Sequence, residues 1–431
     1  MSGAFGLSAS PLSAAARAAA AAVDAPALVA DLADLVQLPS VTASEDLIAG
    51  HLADALESLG LAVEVFHPDP AAIREDPAWP GEEVPRRSLP VVIGRAGQPG
   101  GRPRIVLSGH TDVVPAGDPA TWSGDPFSGE VRDGWLYGRG ACDMKGGVAA
   151  ILGAVRALRD AGVLDRLRGE LVVALVPSEE DGGQGTLAAI RAGATGDMAV
   201  ITEPSGLDIV VAHAGAITFR LSVPGRAAHA SMRREGVSAL ANLQTLVAAL
   251  EADEARRNEA ETDPLMTAIG LPYPTIVGKV AGGVWASSVM DQVVAEGRYG
   301  VRLAQTAAEA ESQLRECIEA ACAADPFLRD HPAQVEVFGA AFDTSRVAPD
   351  HVLPVSLTAA AMAVTGRTPA LVGVPYGCDM RLFVGIGQTP CVVFGPGDVR
   401  LAHGADERVP LAEVAACARV LAAWVAETLG A

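Results

Sequence analysis

RIVLSGHTDVVP, residues 104–115, opens on an apolar run and ends with a histidine and an aspartate two positions apart. Two more apolar runs follow, ELVVALVPS at 170–178 and MAVITEP at 198–204. Between the first and second lies GGVAAILGAVRALRDAG, which has helical character. Short continuous apolar runs that alternate with helical stretches describe strands buried on both faces, and so a largely parallel sheet covered by helices. In such sheets ligands gather beyond the carboxyl ends of the strands, so the polar residues after each run are the ones to weigh for chemistry.

Upstream, Thr42-Ala43-Ser44-Glu45 has the form of a capping box. Leu47, Ile48, Leu52, Leu56 and Leu59 follow at helical spacing, and Gly60 closes the helix. LAVEVFH (61–67) predicts a strand, and the Pro- and acid-rich segment 68–87 an exposed loop. The alanine-rich start, SAAARAAAAAV at 13–23, is interrupted by Arg17 and has no basic segment before it; it predicts an amphipathic helix rather than a secretion signal.

Downstream of about residue 213 the pattern changes to amphipathic strands (ITFRLSVPG, TIVGKVAGG, VVAEGRYGVRL, AQVEVFG) with helices near 238–252 and 307–323. After about 342 the buried style returns, with TPCVVFGPG and a final helix from Leu411. The expected organisation is an α/β domain built from 1–212 and 342–431, interrupted by an α+β insert at 213–341. A chain of 431 residues is long enough for two such cores.

The balance of 32 basic against 52 acidic residues gives a formal charge of -20, which repels phosphate backbones and anionic lipid. Nucleic-acid and membrane partners are therefore not expected, and no apolar run approaches the ~20 residues of a bilayer span. The six cysteines are scattered without a CxxC pair, which fits a reducing compartment and a cytoplasmic protein.

Taken singly, the candidate residues have ordinary explanations. His110 and Asp112 fit a solvated strand end, Asp143 in WLYGRGACDMKGG fits a helix cap, Glu179-Glu180-Asp181 an exposed acidic turn, and Glu203 and His403 polar residues after strands. Together His110, Asp143, Glu180, Glu203 and His403 form a nitrogen and oxygen donor set suited to two borderline divalent cations. Two zinc ions bring four charges; three carboxylates remove three, and a hydroxide the last. Asp143 is the best candidate to bridge the ions, Asp112 to orient His110, and one of the neighbouring glutamates to serve as general base.

In that order and spacing, SGHTDVVP, GRGACDMKGG, PSEEDGG, ITEP, GRAAHAS and LAHGADE resemble the metallopeptidase family that includes acetylornithine deacetylase, succinyl-diaminopimelate desuccinylase, aminoacylase and glutamate carboxypeptidase. The resemblance covers nearly the whole chain. It implies one zinc on His110, Asp143 and Glu203 and another on Asp143, Glu180 and His403, with cobalt or manganese as possible substitutes. It further implies Glu179 as the proton-transferring base, a cis peptide after Asp143, and a homodimer formed through the insert; because the insert carries His229 away from the metals, it is also expected to act as a lid hinged near 212 and 342. In that arrangement His229 of GRAAHAS reaches the partner's site to stabilise the oxyanion. GGVWASSVMDQ departs from the family's GGxxxN pattern, placing Ser287 at the asparagine position and Met290 near the usual proline. Arg302 is the candidate for gripping the substrate carboxylate, with Arg298 as its rival, and Gly377 in YGCDMRLF is a candidate for the substrate-side loop.

The expected activity is dinuclear zinc-dependent hydrolysis of the amide of a small N-acyl amino acid, as in acetylornithine deacetylation. A metallo-exopeptidase acting on peptides is the alternative, and a noncatalytic metal-binding scaffold a third. The remaining histidines (51, 67, 213, 331 and 351) lack ligand spacing, and Cys142 is expected to serve packing.

Overall fold

A computed structural model describes residues 12–430. Its largest element is a nine-stranded mixed sheet. From one edge the order is Ala62–Phe66, Val91–Gly97, Glu170–Val176, Arg104–His110, Met198–Ile201, Cys391–Val393, Ile209–His213 and Ser345–Arg346, with Leu371–Val374 paired to Ile209–His213. The four strands at its centre, from Glu170–Val176 to Cys391–Val393, run parallel, while the strands on the Ala62 side pair antiparallel. Every residue of Glu170–Val176 is buried, as expected for a strand covered on both faces. Helices Gly146–Asp160 and Leu411–Leu429 pack against each other and against this sheet.

A second, four-stranded antiparallel sheet lies between these segments in the chain, in the order Thr275–Gly282, Gln292–Val301, Gly215–Pro224, Gln334–Phe342. Gly215–Pro224 alternates between buried and half-buried residues over most of its length, so Phe219, Leu221 and Val223 reach one face. That face joins residues of Ala239–Glu259 and Ala307–Ala324 in a core separate from the main one, with Leu246, Tyr299, Leu314 and Ile318 among its members. Ser238 caps the first of these helices, and Thr306 with Glu309 forms a full capping box on the second.

Three local expectations are corrected. The TASE segment forms no capping box: the helix starts at Asp46, and the Glu45 carboxylate instead accepts from the Ala43 N–H and pairs with the buried Arg86. Leu47 is exposed, while Ile48, Leu52 and Leu56 carry the buried face. Segment 68–87 is not simply an exposed loop; it contains the short helix Pro70–Arg74 and the buried Arg86, which pairs with two carboxylates. Among the described residues no helix is long and apolar enough to cross a membrane.

Candidate metal centre

Strand order brings the chemistry together. Glu170–Val176, Arg104–His110, Met198–Ile201 and Cys391–Val393 are successive neighbours, and their carboxyl ends lead into Glu179 and Glu180, His110, Glu203, and the loop carrying His403. Asp143 lies in the turn before helix Gly146–Asp160, and its peptide bond to Met144 is cis. The glycine pair that opens the helix allows close approach to the sheet, because a Cβ on Gly147 would lie 2.0 Å from the Thr202 carbonyl oxygen.

The five residues form two overlapping clusters, His110–Asp143–Glu203 and Asp143–Glu180–His403, with the candidate ligand atoms of each within 4.8 Å of one another. Asp143 divides its two oxygens between them. Oδ1 is 3.0 Å from His110 Nε2, and Oδ2 is 3.4 Å from His403 Nε2. Glu203 Oε1 lies 3.5 Å from His110 Nε2 and Glu180 Oε1 3.1 Å from His403 Nε2. The first cluster is the more buried; His403 is exposed.

Electrostatics show why this group calls for cations. Burial pushes Glu203 up to about 8, with Asp143 adding repulsion and His110 opposing it. Burial also raises Glu180, to about 6, and Asp143 repels it. Glu179 is raised well above the usual carboxylate range by burial and by the charges of Asp379 and Glu203. Burial opposes ionisation of Asp143 too, but hydrogen bonds with His110 and His403 hold it well below its ordinary value. Hydrogen bonding to Asp143 and Glu180 drives His403 up to about 10. Buried carboxylates converging with two imidazoles therefore fit a divalent pair, which would take the place of protons.

Asp112 does not hold His110 by its carboxylate. His110 Nδ1 hydrogen-bonds to the Asp112 main-chain carbonyl at 2.9 Å, while the Asp112 carboxylate accepts from the N–H groups of Glu179 (3.1 Å) and Glu180 (3.2 Å). Sequence reasoning gave Glu407 no role, although it lies within LAHGADE. It accepts from the N–H groups of Cys142 (2.9 Å) and Asp143 (3.0 Å) and pairs with the buried Arg139.

The centre opens into a cleft of about 420 Å³. Glu179 and Gly377 line it, as do Arg298, Thr218, Phe342 and Tyr376. Arg302 does not: it lies just past the end of strand Gln292–Val301, near Glu261. Arg298 lies within the strand, opposite Thr218, and so reaches the cleft. His229 and Ser287 are exposed and outside the cleft, on adjoining segments joined by the Ala230 N–H to Ser287 carbonyl bond. Cys142 is buried, and burial drives its thiol far above the normal range, consistent with packing rather than nucleophilic chemistry.

A profile of peptidase family M20/M25/M40 matches residues 106–427. The chain belongs to this family. As an M20 member it is a hydrolase of amide bonds. A succinyl-diaminopimelate desuccinylase of Methylorubrum extorquens is 33% identical over 400 residues, covering 88% of this chain and 93% of the relative. Human carnosine dipeptidase 1 shares the fold with a TM-score of 0.73 and 18% identity, over 98% of this chain and 100% of its own. A dinuclear metal-binding M20 peptidase of Bacillus subtilis gives 0.63 and 15%, over 94% and 98%.

Proposed function

We propose that this M20 hydrolase is a dinuclear zinc enzyme that cleaves the amide of a small N-acyl amino acid, in the manner of an acetylornithine deacetylase. The observation that carries this reading is Asp143, whose two oxygens face His110 and His403 on opposite sides while Glu179 stands beside them without an ion-pair partner among the described residues. His110, Asp143 and Glu203 would hold one ion, and Asp143, Glu180 and His403 the other. Bound zinc would supply Lewis acidity toward the amide carbonyl and acidify water.

The remaining steps belong to the chain. Glu179, whose proton affinity is raised by burial, takes the proton of the attacking water and passes it to the departing nitrogen. Arg298, in place of Arg302, grips the substrate carboxylate from the cleft wall. Gly377 forms part of the cleft lining. His229, exposed and outside the cleft of its own chain, serves the oxyanion of a partner subunit in a homodimer. Residues 213–341 then act as the lid and dimer-forming domain against 1–212 and 342–431. Six unpaired cysteines fit a cytoplasmic setting.

Deacylation is favoured over peptide hydrolysis by several relatives that match at 30–33% identity across most of the chain and are desuccinylases by name. The test is a metal-loaded panel of N-acetylornithine, N-succinyl-diaminopimelate, neutral N-acetyl amino acids and dipeptides, with Glu179→Ala as control. Hydrolysis of an N-acyl amino acid, lost in the variant with metal retained, is the expected result. Turnover of dipeptides alone would move the reading to an exopeptidase, and metal binding without turnover to a scaffold.

A further inference from the structure

Glu179 and Glu180 sit in the turn 178–183, between strand Glu170–Val176 and helix Gln184–Arg191. Ser178, which opens the turn, has a φ of 73°, and so does Ala43, remote from it in the chain. A residue with a side chain enters this left-handed region at a cost, and stays there only where its surroundings over-determine it. Both strained residues belong to one closed ring of contacts.

On one side of the turn the Asp112 carboxylate accepts from the N–H groups of Glu179 and Glu180, and from the Thr42 hydroxyl at 3.2 Å. On the other, Asp181 accepts from the Ser178 hydroxyl and, at 3.0 Å, from Arg86. The same guanidinium donates from Nη1 and Nη2 to Glu45 at 3.3 Å, and Glu45 accepts from the Ala43 N–H at 2.9 Å, which brings the ring back to Thr42. Arg86 thus bridges two carboxylates that would repel each other without it. Its segment touches the turn a second time, because a Cβ on Gly182 would lie 2.6 Å from the Gly81 carbonyl oxygen. Arg86 itself lies outside residues 106–427, the stretch that matches the family, and outside the cleft lining.

We infer that Arg86 is a positioning residue, which clamps the acidic turn through Asp181 and so fixes how Glu179 and Glu180 are presented to the metal centre. This deepens the deacylase reading and rests on its assignment of Glu179 as base and Glu180 as ligand. The side chains of Arg86, Glu45 and Asp181 are all buried, and apolar residues of similar volume commonly stabilise a protein as well as such a group does. What the group supplies is a fixed geometry. Without the clamp the base is displaced, which lowers kcat and spares KM, because Glu179 acts in the transition state. The ion shared by Glu180 and His403 is held less tightly, whereas the ion of His110 and Glu203 has no ligand on the turn.

The test compares Arg86→Met and Arg86→Lys with the wild type, by kinetics of the zinc-loaded protein and by calorimetry of zinc added to the metal-free protein. Arg86→Met should lower kcat about 10- to 100-fold with KM little changed, and weaken the second zinc about tenfold or more while the first is unaffected. Arg86→Lys, which keeps the charge but not the fork that spans two carboxylates, should fall between. Arg156→Met provides the control: it breaks a bidentate pair with Asp31, at 2.7 and 3.0 Å, in the same domain, and should lower Tm alone. If Arg86→Met does not fold, Arg86→Lys decides by the same measures. If the wild type cleaves no amide, the deacylase reading fails and zinc binding still decides this one. A folded Arg86 variant that keeps wild-type affinity for the second zinc overturns the inference, as does a kinetic loss confined to KM or shared by Arg156→Met.

Discussion

His110 is held by the main chain of Asp112 rather than by its side chain: Nδ1 lies 2.9 Å from the carbonyl oxygen and 3.7 Å from the nearer carboxylate oxygen. The carboxylate is thereby left to fasten Glu179 and Glu180 by their N–H groups. Asp112→Asn replaces one acceptor with a donor that faces an N–H, so one of these bonds must be lost, whereas the bond to the ring survives. The expected outcome is a fall of about 10- to 100-fold in turnover or in affinity for the second ion, with the His110 ring unmoved. Metal titration and a structure of the variant check this. A displaced His110 beside an unchanged acidic turn would contradict it.

Removing cations should unmask the repulsion within the centre. Two equivalents of divalent ion per chain are expected by elemental analysis. Chelation should abolish turnover and lower Tm, and zinc should restore both; ligand at a hundredfold excess over Kd stabilises by about 2.7 kcal/mol. The two ions should not leave together. His110 is buried while His403 is exposed, so the His403 cluster is the less constrained and should empty first. His403→Ala should retain close to one equivalent. Loss of both ions in that variant would show that the clusters fill as a unit.

The parallel core of the fold was legible because its strands are continuous apolar runs, and three of the candidate ligands, His110, Glu180 and Glu203, because they end or closely follow such a run. Contacts between segments distant in the chain were less so. Arg86 looked like one charge in an exposed loop, yet it is buried between Glu45 and Asp181, which lie 41 and 95 positions away. Glu45 matched a capping motif, but its carboxylate joins a tertiary ion pair with Arg86 besides its local bond to the Ala43 N–H. Glu407 bonds to N–H groups more than 260 positions earlier, which no local pattern encodes. Choosing between Arg298 and Arg302 required knowing where the strand ends, and four residues along a strand is about 13 Å.

The edge strand Thr275–Gly282 leaves Ile276 and Val280 exposed, and the turn after it exposes Val284 (89%) and Trp285 (75%). An open edge with this much apolar surface needs a cover, and the proposed homodimer provides one. Val280→Lys combined with Trp285→Asp should yield a monomer in sedimentation. If His229 acts across the interface, turnover should then fall by about 10²- to 10³-fold with metal content unchanged. A wild-type protein that is monomeric and fully active would remove His229 from the mechanism.

Away from the metal centre, His213 gives stability a defined acid dependence. It is fully buried at the end of strand Ile209–His213; Nδ1 bonds to the Ala214 carbonyl at 2.9 Å and Nε2 has no partner among the described residues. Burial pushes its pKa down from 6.5 to about 4, the bond to Ala214 opposes that shift, and the charge of Arg381 adds to it. The unfolded chain therefore takes up a proton below about pH 6.5 that the folded chain refuses until about pH 4. Stability present above pH 6.5 is lost as pH falls through this window and the loss levels off below it, reaching on the order of 3 kcal/mol. His213→Asn keeps a donor for Ala214 and removes the titration. Wild type and variant share all other acid-sensitive groups, so the difference between their unfolding free energies isolates this one. That difference should shift against the wild type by up to about 1.4 kcal/mol per pH unit between 6.5 and 4. Curves that stay parallel across the window would mean that His213 titrates alike in both states.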